Sequence, residues 1–218
     1  HPVAHSFPTR RSSDLDVDWK EFLMHRKMRP FDPVQFSGWY GYRDFSDGPV
    51  PGLGSHFIDL VHYITGATFP TSATCLCGTY TWKDEHNFTA PDNVHALWEY
   101  PEGFSVTYTT NFGNGSGNTF KFFGDAAVLD CVNWGKPMLT SDGINAAKGE
   151  SFEPQEVAPV ERPDHFLDWL QCLRSRETPN ASIDAGYQHA VAVIMAMMAF
   201  DSGKRMVYDR EKRTITPA

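Results

Sequence analysis

Residues 48–63, Gly-Pro-Val-Pro-Gly-Leu-Gly-Ser-His-Phe-Ile-Asp-Leu-Val-His-Tyr, lead from a loop rich in glycine and proline into an amphipathic segment. A spacing of 3.6 residues per turn predicts a helix over residues 55–65. We expect Ser55 to cap its first turn, the preceding prolines and glycines to prevent an earlier start, and Gly66 to end it. One arc of this helix is apolar. The opposite, polar arc carries His56, Asp59, His62 and Tyr63.

His56 lies in the first turn of the predicted helix. Free backbone N–H groups and the positive end of the helix dipole meet there, which suits an oxygen-bearing or anionic ligand. A surface helix with incidental histidines explains the same residues equally well. The segment alone leaves both interpretations open.

Length and charge bound the class of protein. A chain of 218 residues, 41% of them hydrophobic, is long enough for one well-packed domain and short for two. The net charge of -8 comes without a basic stripe, which argues against nucleic acid or acidic membranes as partners and favours a small neutral ligand. The longest apolar run, residues 190–200, is shorter than the roughly 20 residues that span a bilayer, so we expect it in a core.

The four cysteines indicate a reducing compartment. Their spacing does not match a zinc site, and four in a chain of this length do not form a disulfide framework. We therefore predict free thiols and a cytoplasmic protein. These cysteines are Cys75, Cys77, Cys131 and Cys172.

The first fifteen residues need separate treatment. Residues 5–15, His-Ser-Phe-Pro-Thr-Arg-Arg-Ser-Ser-Asp-Leu, match the translation of a common short-read sequencing adapter, as in an untrimmed metagenomic read. We interpret residues 1–15 as a non-native tail and exclude them from the fold. The remaining residues, 16–218, are expected to be one domain of a fragment whose own N-terminus is missing.

Strands followed by helices predict an α+β fold. A Pro-Glu-Gly turn at residues 101–103 separates two alternating segments and indicates a hairpin, and short connections make the sheet mainly antiparallel. Two later helices are predicted over residues 164–174 and 183–202, and we expect helices to cover one face of the sheet. The predicted strands are residues 71–82, 94–100, 104–110, 118–123, 126–131, 137–140, 155–157 and 205–208.

The order of the motifs carries a family resemblance. An aromatic loop at residues 36–45 precedes the glycine-rich turn and a Gly-x-His-x-x-Asp helix. Tyr-Pro-Glu-Gly and Phe-Phe-Gly-Asp hairpins follow, then Arg-Ser-Arg-Glu-Thr-Pro-Asn and a final Gly-Tyr-Gln-His-Ala-Val-Ala helix. Together, over about residues 16–214, they resemble the C-terminal domain of the Gfo/Idh/MocA oxidoreductases.

This resemblance implies a parent protein of two domains. An N-terminal Rossmann domain would bind NAD or NADP, and the present domain would use an open-faced sheet to shape the substrate site and form homo-oligomers. The family acts on sugars and polyols. No Gly-x-Gly-x-x-Gly follows a strand in this chain, so the Rossmann domain and the family's catalytic lysine are expected upstream. We predict no cofactor-binding or metal-binding residue here.

The resemblance also assigns site residues. His56 matches the family's proton acceptor, which takes the hydroxyl proton while hydride passes to the nicotinamide. The family's aspartate, four residues earlier, corresponds to Gly52, and this departure puts the usual proton relay in doubt. Asp59 is expected to orient His56 or to tie down the helix.

Substrate contacts are expected from a wider set of polar and aromatic residues, although a structural role is the favoured interpretation for each one alone. The predicted substrate-binding residues are Trp39, Tyr42, Asp44, Gly52, His62 and His189.

Three functions stay open from the sequence. The intact protein is an oxidoreductase of a sugar or polyol, or it uses the cofactor transiently for an elimination or a glycoside cleavage. Alternatively, the chain is only a sugar-cleft and oligomerisation module without catalysis, which is the favoured reading for this polypeptide alone.

Overall fold

The computed structural model describes residues 17–83, 86–115, 117–149, 151–158 and 160–218. The predicted tail at residues 1–15 lies outside these ranges. The chain divides into two compact units, one formed by the residues up to 114 together with residues 181–218, and the other by residues 115–180. The assignment of residues 16–218 to a single domain stays a prediction.

Nine strands and five α-helices are found in the described residues. The strands are β1 (Ser72–Gly78), β2 (Asn93–Tyr100), β3 (Phe104–Asn111), β4 (Lys121–Phe123), β5 (Ala127–Asp130), β6 (Met138–Ser141), β7 (Gln155–Glu156), β8 (Met206–Asp209) and β9 (Thr214–Pro217). The helices are α1 (Trp19–Leu23), α2 (Pro33–Ser37), α3 (Ser55–Thr65), α4 (His165–Ser175) and α5 (Ile183–Ser202). Short 3-10 helices cover Trp39–Gly41 and Ala146–Lys148, and a π-helix covers Val50–Gly54.

The first unit is built on a five-stranded antiparallel sheet in the order β3-β2-β1-β8-β9. Burial alternates along β2, because successive side chains of a strand point to opposite faces. Val94 and Trp98 are fully buried, whereas His95 and Leu97 are exposed. Helix α5 packs on the buried face. The predicted α+β fold, with helices on one face and the other face open, is confirmed.

Helix α5 supplies most of the cover for that face. The Trp98 indole donates a hydrogen bond of 2.8 Å to the Ala192 carbonyl, and Ala192, Met195 and Ala196 are fully buried. Within the described ranges, α5 is also the single helix long and apolar enough to cross a membrane. Its place against the sheet confirms the predicted core position of residues 190–200.

The second unit contains a separate sheet. Strands β4, β5, β6 and β7 pair in chain order, each antiparallel to the next. Helix α4 belongs to the same unit, and the Asp164 carboxylate caps it by accepting from the backbone N–H groups of Phe166 and Leu167. The sequence placed all strands in one sheet. This was wrong, because none of these four strands pairs with a strand of the first sheet in the described residues.

The first strand ends earlier than predicted. Residues 71–82 were expected to be extended, but β1 ends at Gly78. The fully buried carboxylate of Asp92 accepts hydrogen bonds from the backbone N–H groups of Tyr80, Thr81 and Trp82, at 2.9, 2.8 and 2.7 Å. These bonds replace a strand ladder with a turn, as acidic side chains in loops commonly do.

Helix α3 is joined to the sheet through His62. The sequence placed this residue on the polar arc, yet its side chain is buried with Ile58 and Val61. Its Nε2 atom lies 2.8 Å from the Tyr100 hydroxyl on β2, which satisfies one ring nitrogen. Burial lowers the pKa of His62 to about 4, although the nearby Asp59 acts in the opposite direction. The ring is therefore neutral at neutral pH.

Replacing Asp92 by Ala should lower the free energy of unfolding by about 3 kcal/mol or more, because three backbone N–H groups lose their acceptor. Urea unfolding of this chain and the variant measures the change. Asp92→Asn keeps one acceptor oxygen and should recover part of the loss. An Asp92→Ala protein as stable as the wild type would show that the carboxylate does not hold the turn.

His62 should also make stability depend on pH. Between its unfolded value of 6.5 and its folded value of about 4, the unfolded chain binds a proton that the folded chain does not. The free energy of unfolding should therefore fall by about 2 to 3 kcal/mol as pH is lowered through this window, and recover as pH rises. His62→Gln lacks this titration, so subtracting its urea-unfolding curves removes the contribution of the carboxylates. Parallel pH dependences would contradict the assignment.

Candidate functional site

Helix α3 has the predicted bounds, residues 55–65, but a π-helix that was not predicted precedes it. The π-helix Val50–Gly54 continues directly into α3, and the Ser55 hydroxyl donates to the Pro51 carbonyl at 2.7 Å instead of capping a first turn. Prolines are tolerated near such a start, because first-turn N–H groups have no acceptor within the helix. His56 therefore does not lie at a free helix N-terminus, and the dipole argument for its ligand does not hold.

Two glycines determine where this helical segment starts and ends. Gly48 has a φ of 82°, and its carbonyl accepts from the Gly52 N–H at 3.1 Å, so the chain enters the helix immediately after it. Gly66, with a φ of 75°, ends α3 in the left-handed conformation, as predicted.

The His56 side chain faces solvent. It is exposed on α3, and none of the described residues forms a hydrogen bond or an ion pair with its ring. An imidazole placed in this way has its lone pair available to a ligand that approaches from outside.

Position 52 lies four residues before His56, so the two share one side of the helical segment. A Cβ atom built on Gly52 would lie 2.8 Å from both Cε2 and Cζ of Tyr40, and nearer still to its hydroxyl oxygen. That hydroxyl donates to the Gly48 carbonyl at 3.1 Å. The aspartate expected from the resemblance therefore has no room, because Tyr40 fills its place.

Tyr40 was not among the substrate-binding residues predicted from the sequence. It appeared only as one aromatic residue among several in its loop, and the site residues chosen from that loop were its neighbours. The glycine at position 52 could have indicated Tyr40. A glycine in place of a functional side chain indicates that another group approaches the backbone closely.

Asp59 contacts α5 and not His56. Its Oδ1 atom lies 3.5 Å from Nδ1 of His189, between two helices that pack together. The two side chains form no hydrogen bond, and the buried Nδ1 atom of His189 has no hydrogen-bond partner in the described part of the chain. Of the two roles expected for Asp59, tying down the helix is the one that this contact favours.

His62 lies on the buried side of α3, and His189 lies on α5. The His62 side chain is only 7% exposed, and its Nε2 atom is engaged by Tyr100. His189 is half-buried. Their assignment to substrate binding stays a prediction, and burial disfavours it for His62.

The aromatic loop provides one exposed ring next to this site. Trp39 is 45% exposed, and its ring lies 5.7 Å from that of Tyr40. Tyr42 donates its hydroxyl proton to the His86 carbonyl at 2.8 Å, and Asp44 forms an ion pair with Arg29 at 2.7 Å. The structure therefore places Trp39 and Gly52 next to Tyr40, with His56 one turn beyond Gly52 in the same helical segment, and gives Tyr42 and Asp44 structural partners.

The described ranges contain no candidate metal site. No group of three or more His, Cys, Asp or Glu side chains there could hold a metal ion. The four cysteines are free thiols, two buried and two half-buried.

Residues 20–208 match the sequence profile of an oxidoreductase family, C-terminal alpha/beta domain. No curated protein matches the chain in sequence.

Several solved structures share the fold. Aldose-aldose oxidoreductase from Caulobacter crescentus, complexed with glycerol, has a TM-score of 0.61 at 17% identity, over 82% of this chain and 52% of that one. An oxidoreductase domain protein from Kribbella flavida has a TM-score of 0.60 at 16% identity, over 77% and 53%. WlbA dehydrogenase from Bordetella pertussis, in complex with NADH and UDP-GlcNAcA, has a TM-score of 0.57 at 16% identity, over 84% and 52%.

The chain thus spans about half the length of these proteins. The profile match extends over nearly all of the described residues, and the open-faced antiparallel sheet agrees with it. The chain belongs to the Gfo/Idh/MocA oxidoreductase family, whose C-terminal alpha/beta domain it forms.

Proposed function

We propose that this chain is the substrate-binding domain of an oxidoreductase that acts on a sugar or polyol with NAD or NADP, and that His56 is the proton acceptor. The observation that carries the proposal is the exposed His56 ring, which is left without a protein partner among the described residues. An exposed ring at the position that the resemblance assigns to the proton acceptor can meet a substrate without first displacing a protein partner.

The chain's own strands do not fit a dinucleotide site. All described strand pairs are antiparallel, whereas a Rossmann site requires a parallel βαβ unit with a glycine-rich turn. The nicotinamide, which accepts hydride when bound, is therefore proposed to be held by a preceding domain. What this chain contributes is the substrate half of the site.

The proposed chemical role of His56 is that of a general base. Its ring accepts the proton of the substrate hydroxyl whose carbon is oxidised, a type of assistance that contributes roughly 100- to 10,000-fold in rate. Asp59 supports it by tying α3 to α5 through His189, which keeps the helix that carries the base in place.

A carbohydrate substrate is supported by the aromatic side chains next to Gly52, one turn before His56 in the helical segment. The exposed face of Trp39 is suited to stacking on a sugar ring, next to the Tyr40 hydroxyl. Two structures with the same fold contain glycerol and a UDP-sugar, respectively. Tyr42, Asp44, Gly52, His62 and His189 remain proposed contacts, of which Gly52 lies nearest to His56 in the helix.

The open face of the first sheet supports a homo-oligomer. Leu76 is 68% exposed and Leu97 is 40% exposed on adjacent strands, on the face that α5 does not cover. Apolar side chains grouped on an open sheet favour association with a second copy. In this chain alone, substrate binding and association are the proposed functions, and the four free thiols agree with a cytoplasmic location.

The role of His56 can be tested in the longer reading frame that joins this chain to an upstream dinucleotide-binding domain. His56→Ala should lower kcat by roughly 100-fold or more, because the hydroxyl proton loses its acceptor. Nicotinamide absorbance with sugars and polyols measures the rate. His25→Ala removes another exposed histidine and should leave it unchanged. A His56→Ala enzyme with the wild-type rate would make His56 structural.

The proposal that another domain holds the nicotinamide cofactor can be tested on this chain by itself. Titration with NADH or NADPH should leave nicotinamide fluorescence unshifted, because no parallel βαβ unit is found in the described residues. The two-domain parent should give a clear shift under the same conditions. A shift with this chain alone would show that the domain assignment is wrong.

A further inference from the structure

We propose that the Tyr40 hydroxyl is a substrate-binding group next to His56, which accepts a hydrogen bond from the substrate hydroxyl adjacent to the reacting one. The inference rests on the proposed function, since it assumes a polyhydroxylated substrate at His56. It adds a specificity-determining residue and narrows the substrate class to compounds with vicinal hydroxyl groups.

The Tyr40 hydroxyl can take its position because residue 52 is a glycine. The volume that a side chain would occupy there is taken by the Tyr40 hydroxyl and the adjacent ring carbons. Because residues 52 and 56 are one turn apart on the same side, the phenol oxygen lies over the turn that precedes His56. Gly52 is itself exposed, so this part of the helix is open to a ligand.

The hydrogen-bonding state of the phenol determines what it can bind. Its single proton is donated to the Gly48 carbonyl at 3.1 Å, which leaves the oxygen lone pairs free to accept. A substrate hydroxyl can donate to this oxygen, whereas a carbonyl or carboxylate oxygen cannot. The site therefore selects a donor, as a hydroxyl group of a sugar or polyol provides.

The phenol also stays neutral. Burial raises the pKa of Tyr40 above its ordinary value, so the group carries no charge at neutral pH. A neutral acceptor binds a second hydroxyl without competing with the His56 imidazole for the reacting proton. Tyr40 therefore positions the substrate, and His56 accepts the proton of the reacting hydroxyl.

Packing fixes the ring that carries this hydroxyl. The Tyr40 ring lies 5.7 Å from that of Trp39 in an edge-on arrangement and 6.2 Å from that of Phe112. A binding group held in this way loses little conformational freedom when a ligand arrives.

The test uses the two-domain enzyme with myo-inositol and d-glucose as probes, each compared with its monodeoxy analogues. The wild type should prefer the parent compound by about 10-fold or more in kcat/KM over the analogue that lacks the hydroxyl bound by Tyr40. Tyr40→Phe should lose this preference and lower kcat/KM for the parent compound by about 10-fold, while the pH profile, which reports the base, stays unchanged.

Tyr108→Phe is the matched control. The Tyr108 hydroxyl donates to the Pro49 carbonyl at 3.4 Å, one residue beyond the carbonyl that Tyr40 contacts, but Tyr108 is buried. Its removal should preserve the preference between parent and deoxy compounds. If both variants lose the preference equally, the effect comes from the loop and the proposal for Tyr40 is overturned.

An exchange of side chains gives a second measurement. Tyr40→Ala should lower kcat/KM, and adding Gly52→Asp should restore it by about 10-fold, because a carboxylate then enters the vacated volume and accepts from the same hydroxyl. Absence of rescue, together with an unchanged preference in Tyr40→Phe, overturns the proposal.

Failure of the proposed function gives a different result. A wild-type enzyme that turns over neither these probes nor other sugars or polyols, with either nicotinamide, overturns the proposed function and this inference with it. An active enzyme whose Tyr40→Phe variant matches the wild type on every compound overturns this inference alone.

Discussion

The first unit depends on burying one face of its sheet beneath α5. Trp98 has no exposed surface, and its indole donates to a carbonyl of that helix, so the largest side chain of the covered face fixes α5 by both contact area and a directed bond. Helix α3 then packs on α5, with Asp59 facing His189. His56 projects from α3 to solvent because the opposite side of this helix is held against the core.

Close approaches around position 52 define the surface next to His56. Without a side chain there, the Tyr40 ring reaches the helix and its hydroxyl meets the Gly48 carbonyl. The backbone at residues 48–49 has a second aromatic neighbour, Tyr108, whose hydroxyl donates to the Pro49 carbonyl. The two phenols thus donate to consecutive backbone carbonyls at the start of the helical segment that carries His56.

Two buried polar side chains, Asp92 and His62, have specific partners that decide local structure. Asp92 gathers three backbone N–H groups and ends β1, while the His62 ring is neutral against the Tyr100 hydroxyl. Nothing in the neighbouring sequence indicates that these two polar residues are buried. Their acceptors and donors come from segments 10 to 38 residues away, so burial and bonding arise together only on folding.

Local periodicity and capping in the sequence were sufficient to predict α5 over residues 183–202, the hairpin of β2 and β3, and the end of α3 at Gly66. Those features depend on residues within a few positions of each other, and the family and the α+β fold followed from their order. Tertiary structure alone decided the division into two sheets, the burial of His62, the early end of β1 and the place of Tyr40 over Gly52. Each of these results from contacts between distant segments, which the spacing of residues along one segment does not encode.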